Sequence, residues 1–150
     1  MLTSNMERII RENTIGLIAT ITPDGFPAVS PKATTVILDK THIAFCDIRS
    51  PQTRRNIKTN PFVEANYIDV FRRQACRLRG VATYLQRNST EFETIRPQFE
   101  TWGELLNDVK GIFQVEITAA QHIFSPAYDR GADESSLKAE WLSRYTKLIG

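Results

Sequence analysis

Histidine and cysteine are scarce in this chain, with two of each among 150 residues. Cys46 and Cys76 form no CxxC pair, and His42 and His122 form no HExxH, so neither thiol exchange nor zinc-protease chemistry has a motif to rest on. Both cysteines fall in apolar, β-prone runs and are expected to be reduced core residues. The seven glycines make neither GxGxxG nor GxxxxGK[ST], and GxSxG is missing too, which removes the dinucleotide-fold, P-loop and serine-hydrolase readings. No apolar run approaches the ~20 residues that span a bilayer. Residues 1–14 are charged rather than apolar like the heart of a secretory signal, so no membrane partner and a cytoplasmic location are expected.

An excess of one charge is also lacking. The net charge is +2, and the densest basic cluster (Arg72, Arg73, Arg77 and Arg79) has no aromatic residues interleaved for base stacking. A dedicated nucleic-acid binder is therefore excluded. The hydrophobic fraction of 41% and charged fraction of 24% are those of a globular protein. The length suits one domain, residues 1–150, with no linker or repeat.

What is present lies chiefly between Asp47 and Pro61, DIRSPQTRRNIKTNP. The run before it, THIAFCD, is apolar at Ile43, Ala44, Phe45 and Cys46 and reads as a buried strand. Ser50 and Pro51 then open a helix, serine as N-cap and proline at the first helical position. The first turn of a helix presents free N–H groups and the positive end of its dipole, and here Thr53, Arg54 and Arg55 accompany it. That combination suits an anion such as a phosphate. Upstream, Asp24-Gly25 marks a turn between two β-prone runs, and Lys32 lies within the second, where it can supply a mobile point charge to the same anion.

The coarse order is a helix at residues 3–13, with Ser4 and Glu7 spaced as a capping box, then strands at 15–22, 26–38 and 41–47. A helix at 50–59 follows, and strands at 62–70 and 74–86. A helical stretch from about residue 88 to 107 is broken at Pro97, a last strand covers 111–124, and the C-terminal run carries Leu137, Trp141, Leu142, Tyr145 and Leu148 on one side of a helix. Pro31 within the second strand implies an edge or a bulge. About six antiparallel strands with helices at the ends predict a mainly β fold, a split or closed barrel.

This succession, a hairpin with SPKAT, a strand, a serine-led basic helix closing on NP and a strand with RLRGVA, resembles the FMN-binding split barrels of the pyridoxamine 5′-phosphate oxidase-like superfamily. The resemblance runs from Gly16 to Asp129. It implies a six-stranded antiparallel split barrel that binds FMN between the subunits of a homodimer. It also implies that the flavin phosphate is held by Lys32 with Thr34 and by Ser50, Thr53 and Arg54, near Asp47. The backbone from Val29 through Ser30 and Pro31 to Ala33 would run beside the isoalloxazine. Arg54 and Arg55 diverge by about 100° on a helix, and the family position favours Arg54. Gln74 and Arg77, ahead of Gly80, would reach a flavin bound mainly by the partner subunit. Thr53-Arg54-Arg55 stands where pyridoxamine phosphate oxidases have serine-arginine-lysine, so the resemblance implies a general FMN-dependent oxidoreductase, with an unidentified small-molecule substrate and a nicotinamide-like electron donor. Two alternatives are a module of the same fold that holds flavin, deazaflavin or haem without turnover, and a cofactor-free barrel whose basic helix docks an acidic partner.

Overall fold

A computed structural model describes the whole chain, Met1–Gly150. The helix α1, Ser4–Glu12, is capped by Thr3, whose hydroxyl accepts from Met6 N at 3.3 Å. The cap is thus one residue ahead of the expected Ser4, and Glu7 pairs instead with Lys40 at 2.7 Å. Strands β1 (Gly16–Ile21) and β2 (Pro27–Lys32) form a hairpin around Gly25, whose φ of 90° suits glycine. Then come β3 (Val36–Asp39), β4 (His42–Asp47), helix α2 (Pro51–Thr59), β5 (Phe62–Asp69) and β6 (Gln74–Gln86). Helix α3 (Thr90–Ile95) runs into a 3₁₀ helix at Arg96–Asp108, with Pro97 at the junction as expected. The long β7 (Gly111–Phe124) and helix α4 (Glu134–Ile149) complete the chain. No helix is long and apolar enough to cross a membrane.

The sheet has seven strands rather than six, in the order β2-β1-β5-β6-β7-β4-β3, with every pairing antiparallel. The expected single strand over residues 26–38 is two, because Ala33, Thr34 and Thr35 leave the ladder. Thr34 Oγ1 accepts from Cys46 N at 2.9 Å, and Thr35 Oγ1 lies 3.0 Å from the Tyr67 hydroxyl. The Thr34 bond replaces the ladder partner that Cys46 N would otherwise lose, and the Thr35 bond ties the crossing to the core. The split strand places β2 and β3 at opposite edges of the sheet although only three residues separate them. Pro31 accordingly sits on an edge strand.

The barrel interior is filled by alternating residues of the strands, among them Ile18, Val63, Tyr67, Leu78, Phe113 and Val115, and is closed by Met6, Ile9 and Ile10 of α1. Phe45 stacks on Phe113 at 5.0 Å between ring centroids. On the other side of β4 and β7, Ala44, Cys46 and Ile112 meet Phe92, Phe99 and Leu106 of the helical segment. The continuous apolar run of β4 reflects this burial on both faces. Phe99 is fully buried and belongs to the core, as do both cysteines, whose thiols burial raises to about 11 for Cys46 and about 12 for Cys76. The α4 helix buries Leu137 and leaves Leu142 and Leu148 exposed, while Trp141 lies under the guanidinium of Arg73 at 3.9 Å.

At Thr35 the crossing segment is tied to the core by one buried hydroxyl pair. Replacing Thr35 by valine strands the fully buried Tyr67 hydroxyl, and urea unfolding should show a loss of about 1–3 kcal/mol. Combining Thr35→Val with Tyr67→Phe should recover part of it. A double variant no more stable than Thr35→Val alone would contradict this account.

Candidate functional site

The site is built at the end of β4. Asp47 is fully buried there. Its Oδ1 accepts from Ser50 N at 3.1 Å, its Oδ2 accepts from the Tyr84 hydroxyl at 2.9 Å, and its backbone carbonyl accepts from Lys110 N at 2.7 Å. The chain therefore bends sharply over residues 48–50 and enters α2 at Pro51. Ser50 occupies the N-cap position, yet its side chain caps nothing. Its hydroxyl instead accepts from Lys32 Nζ at 2.6 Å. The start of α2 thus keeps its positive end without a side-chain cap.

Around that start lies a cleft of about 180 Å³ lined by Ser30, Lys32, Arg49, Ser50, Gln52 and Thr53 among others, and no carboxylate lines it. The Ser30 and Thr53 hydroxyls lie 3.4 Å apart across it. Beneath them Asn56 Nδ2 donates to Thr20 Oγ1 at 2.9 Å, tying α2 to β1. Partial burial lowers the Lys32 pKa below that of an ordinary lysine, with the charge of Asp47 opposing the shift. An anion in the cleft would remove that penalty by giving the ammonium a close counter-charge.

Of the residues expected from sequence, the structure brings Val29, Ser30, Lys32, Ser50 and Thr53 together around this cleft. Pro31 lies on the same strand opposite Leu17 without lining it. Ala33 and Thr34 belong to the crossing segment, and the Thr34 side chain turns inward to Cys46. Asp47 lies under the cleft as its support. Arg54 and Arg55 do not line it. Arg54 Nε is 3.2 Å from Asp47 Oδ2, with the guanidinium 5.7 Å from the Tyr84 ring centre, and Arg55 donates to Gln52 Oε1 at 2.8 Å on the exposed side. The cation that lines the cleft with Lys32 is Arg49, just ahead of α2, rather than the expected Arg54.

Gln74 is buried and fully engaged, donating to the Tyr128 hydroxyl at 2.9 Å and to Glu134 at 3.1 Å, with His122 Nε2 2.9 Å from its Oε1. It fastens the C-terminal segment to the barrel and does not face outward from the sheet, as a role at a partner's flavin requires. Arg77 does lie on the outer sheet face, with Nε 3.4 Å from Glu64 Oε1, and that buried nitrogen makes no aligned hydrogen bond.

The same architecture recurs in known structures. The HupZ protein of Group A Streptococcus superposes with a TM-score of 0.73 at 22% identity, over 83% of this chain and 96% of that one. An FMN-binding protein from Syntrophomonas wolfei gives a TM-score of 0.67 at 11% identity, over 80% of this chain and 84% of the other. HutZ, described as the haem storage protein of Vibrio cholerae, gives 0.65 at 20% identity, over 80% and 93%. At these identities the likeness concerns the fold. No curated protein matches the chain in sequence. The family model for pyridoxamine 5′-phosphate oxidase matches residues 2–125, spanning the barrel, the crossing segment and the Lys32–Ser50 cleft. The chain thus belongs to the pyridoxamine 5′-phosphate oxidase family, within its split-barrel fold.

Proposed function

We propose that this protein is a flavoprotein oxidoreductase that holds the phosphate of FMN in the Lys32–Ser50 cleft and acts on a small molecule as a homodimer. The observation that carries the reading is the donor set of the cleft: an ammonium with only a serine hydroxyl for company, flanking hydroxyls, Arg49, and a helix start that no side chain caps. Such a set fits a phosphate dianion. The residues present also fit the size of that group, since about 180 Å³ accommodates a phosphate and its ester linkage while the flat ring must lie outside. When bound, the flavin would supply the redox chemistry itself. Lys32, Arg49 and the α2 start would hold its charge, Ser30 and Thr53 would orient the phosphate oxygens, and Asp47 would keep Ser50 in place.

The ring would lie along exposed Val29 of β2. On the outer sheet face Val29 is 64% and Phe62 66% exposed, and Leu17 of β1 is exposed as well. A second copy seated on this face would cover both the apolar patch and the ring. A second reading, a carrier of haem or flavin without turnover, draws on the likeness of the fold to HutZ.

Three measurements test this. Purified protein should show flavin absorption and release FMN on heating, as identified by mass. A haem Soret band would favour the carrier instead. Lys32→Ala should weaken FMN binding about tenfold or more, the loss of one charge-assisted contact, and leave riboflavin binding nearly unchanged. Equal proportional losses for the two ligands would remove the phosphate from this cleft. Sedimentation at falling protein concentration should show FMN shifting the equilibrium toward dimer; a flavin-loaded monomer at high dilution would rule out a shared site.

A further inference from the structure

A second cleft lies about 100° further round α2 from the first. It has a volume of about 410 Å³ and is bordered by Arg54, Ile57 and Lys58 of the helix and by Ala82, Thr83 and Gln86 of β6, with Tyr84 as its remaining wall. It contains no carboxylate. Arg54 and Lys58 stand one helical turn apart on the same side, so both cations border the same space. Lys58 has no acceptor, and the only carboxylate near Arg54 is Asp47 behind it. The Arg54 guanidinium makes no side-chain hydrogen bond: its buried Nε is close enough to Asp47 Oδ2 for an ion pair at 3.2 Å but is not aligned with it. That oxygen also accepts from the Tyr84 hydroxyl at 2.9 Å. Lys58 is exposed and has no carboxylate within pairing distance.

We propose that this cleft is a separate binding site for a phosphomonoester of a small organic molecule. Its phosphate would sit between Arg54 and Lys58, and its organic part would lie against Ile57 and Ala82. The planar fork of Arg54 matches the oxygens of a phosphate, and Lys58 adds a mobile charge. The Thr83 hydroxyl and Gln86 amide border the same space and supply further hydrogen-bonding groups. The volume exceeds what a bare oxyanion fills and lies within the range of small-molecule sites, which is why an ester rather than the free ion is the ligand class. The site is independent of the flavin reading, since it shares no lining residue with the Lys32 cleft.

The test is a titration of isotopically labelled protein with glycerol 3-phosphate, and separately with inorganic phosphate, at ionic strength held constant with chloride. Saturable shifts are expected at the amides of Thr83 and Gln86 and at Arg54 Nε–H, with the ester binding tighter than the free ion. Lys58→Gln, an exposed substitution whose folding the same spectra verify, should weaken these shifts about tenfold, as removal of one charge-assisted contact does. It should leave any shift around Ser50 unchanged. Lys32→Ala should do the reverse, so failure of the flavin-phosphate cleft is visible separately from failure of this one. Shifts at Thr83 and Gln86 that chloride alone reproduces, that inorganic phosphate matches in affinity, or that persist unweakened in Lys58→Gln would overturn the proposal.

Discussion

The fold depends on the three-residue step between β2 and β3. These are the two edges of a seven-stranded sheet, and adjacent strands are spaced about 4.8 Å apart, so in a flat sheet the edges would be separated by about 29 Å. The step from Lys32 to Val36 reaches at most about 14 Å. The sheet must therefore curl until its edges nearly meet, and the barrel is a consequence of chain connectivity as much as of strand twist. No hydrogen-bonded pairing joins β2 to β3, which leaves the barrel split along that line. Thr34 and Thr35 make the crossing tolerable by bonding to Cys46 and Tyr67, so the seam is fastened by side chains where backbone pairing stops.

The candidate site follows from that seam. Because β2 is an edge, the residues it carries on the face of buried Ile18 are free to meet α2, and Ser30 and Lys32 reach Thr53 and Ser50 there. The buried Asp47 organises the approach. A carboxylate with no exposure needs several donors to be stable, and it finds them in Ser50 N and Tyr84, with Arg54 as its charge partner. The same acid that turns the chain into α2 thus separates its cations. Arg54 is drawn toward Asp47 and the second cleft, and Lys32 and Arg49 are left to the first.

Much of this was legible in the sequence. The apolar run before Asp47, the serine and proline at the helix start, the turn at Asp24-Gly25 and the break at Pro97 each carry a local physical signal that the structure obeys. The split of residues 26–38 carries none, because two threonines in a β-prone run look the same whether they point into a ladder or replace it. The placing of Arg49 and Arg54 carries no local signal either. Helical phase separates Arg54 from Arg55, but nothing local says that Asp47 will pair with Arg54. An acid ending an otherwise apolar strand was the available clue, since a carboxylate in that position must be buried with a cation nearby. Gln74 was likewise unreadable: its partners Tyr128 and Glu134 lie 54 and 60 residues away.

Ser50 shows where local rules give way. A serine at the N-cap ordinarily bonds to the first turn, and losing that bond costs a helix about 1 kcal/mol. Here the backbone at Ser50, with φ −133° and ψ 49°, turns the hydroxyl away from the helix and toward Lys32. Thr3, Ser89 and Asp133 cap the other three α-helices in the usual way, so the exception is confined to α2. The exception stands beside a half-buried lysine and a cleft without carboxylates. A phosphate bound there as proposed would satisfy the first turn and Lys32 where the chain does not. Stability forgone in the protein alone would then become affinity in the complex.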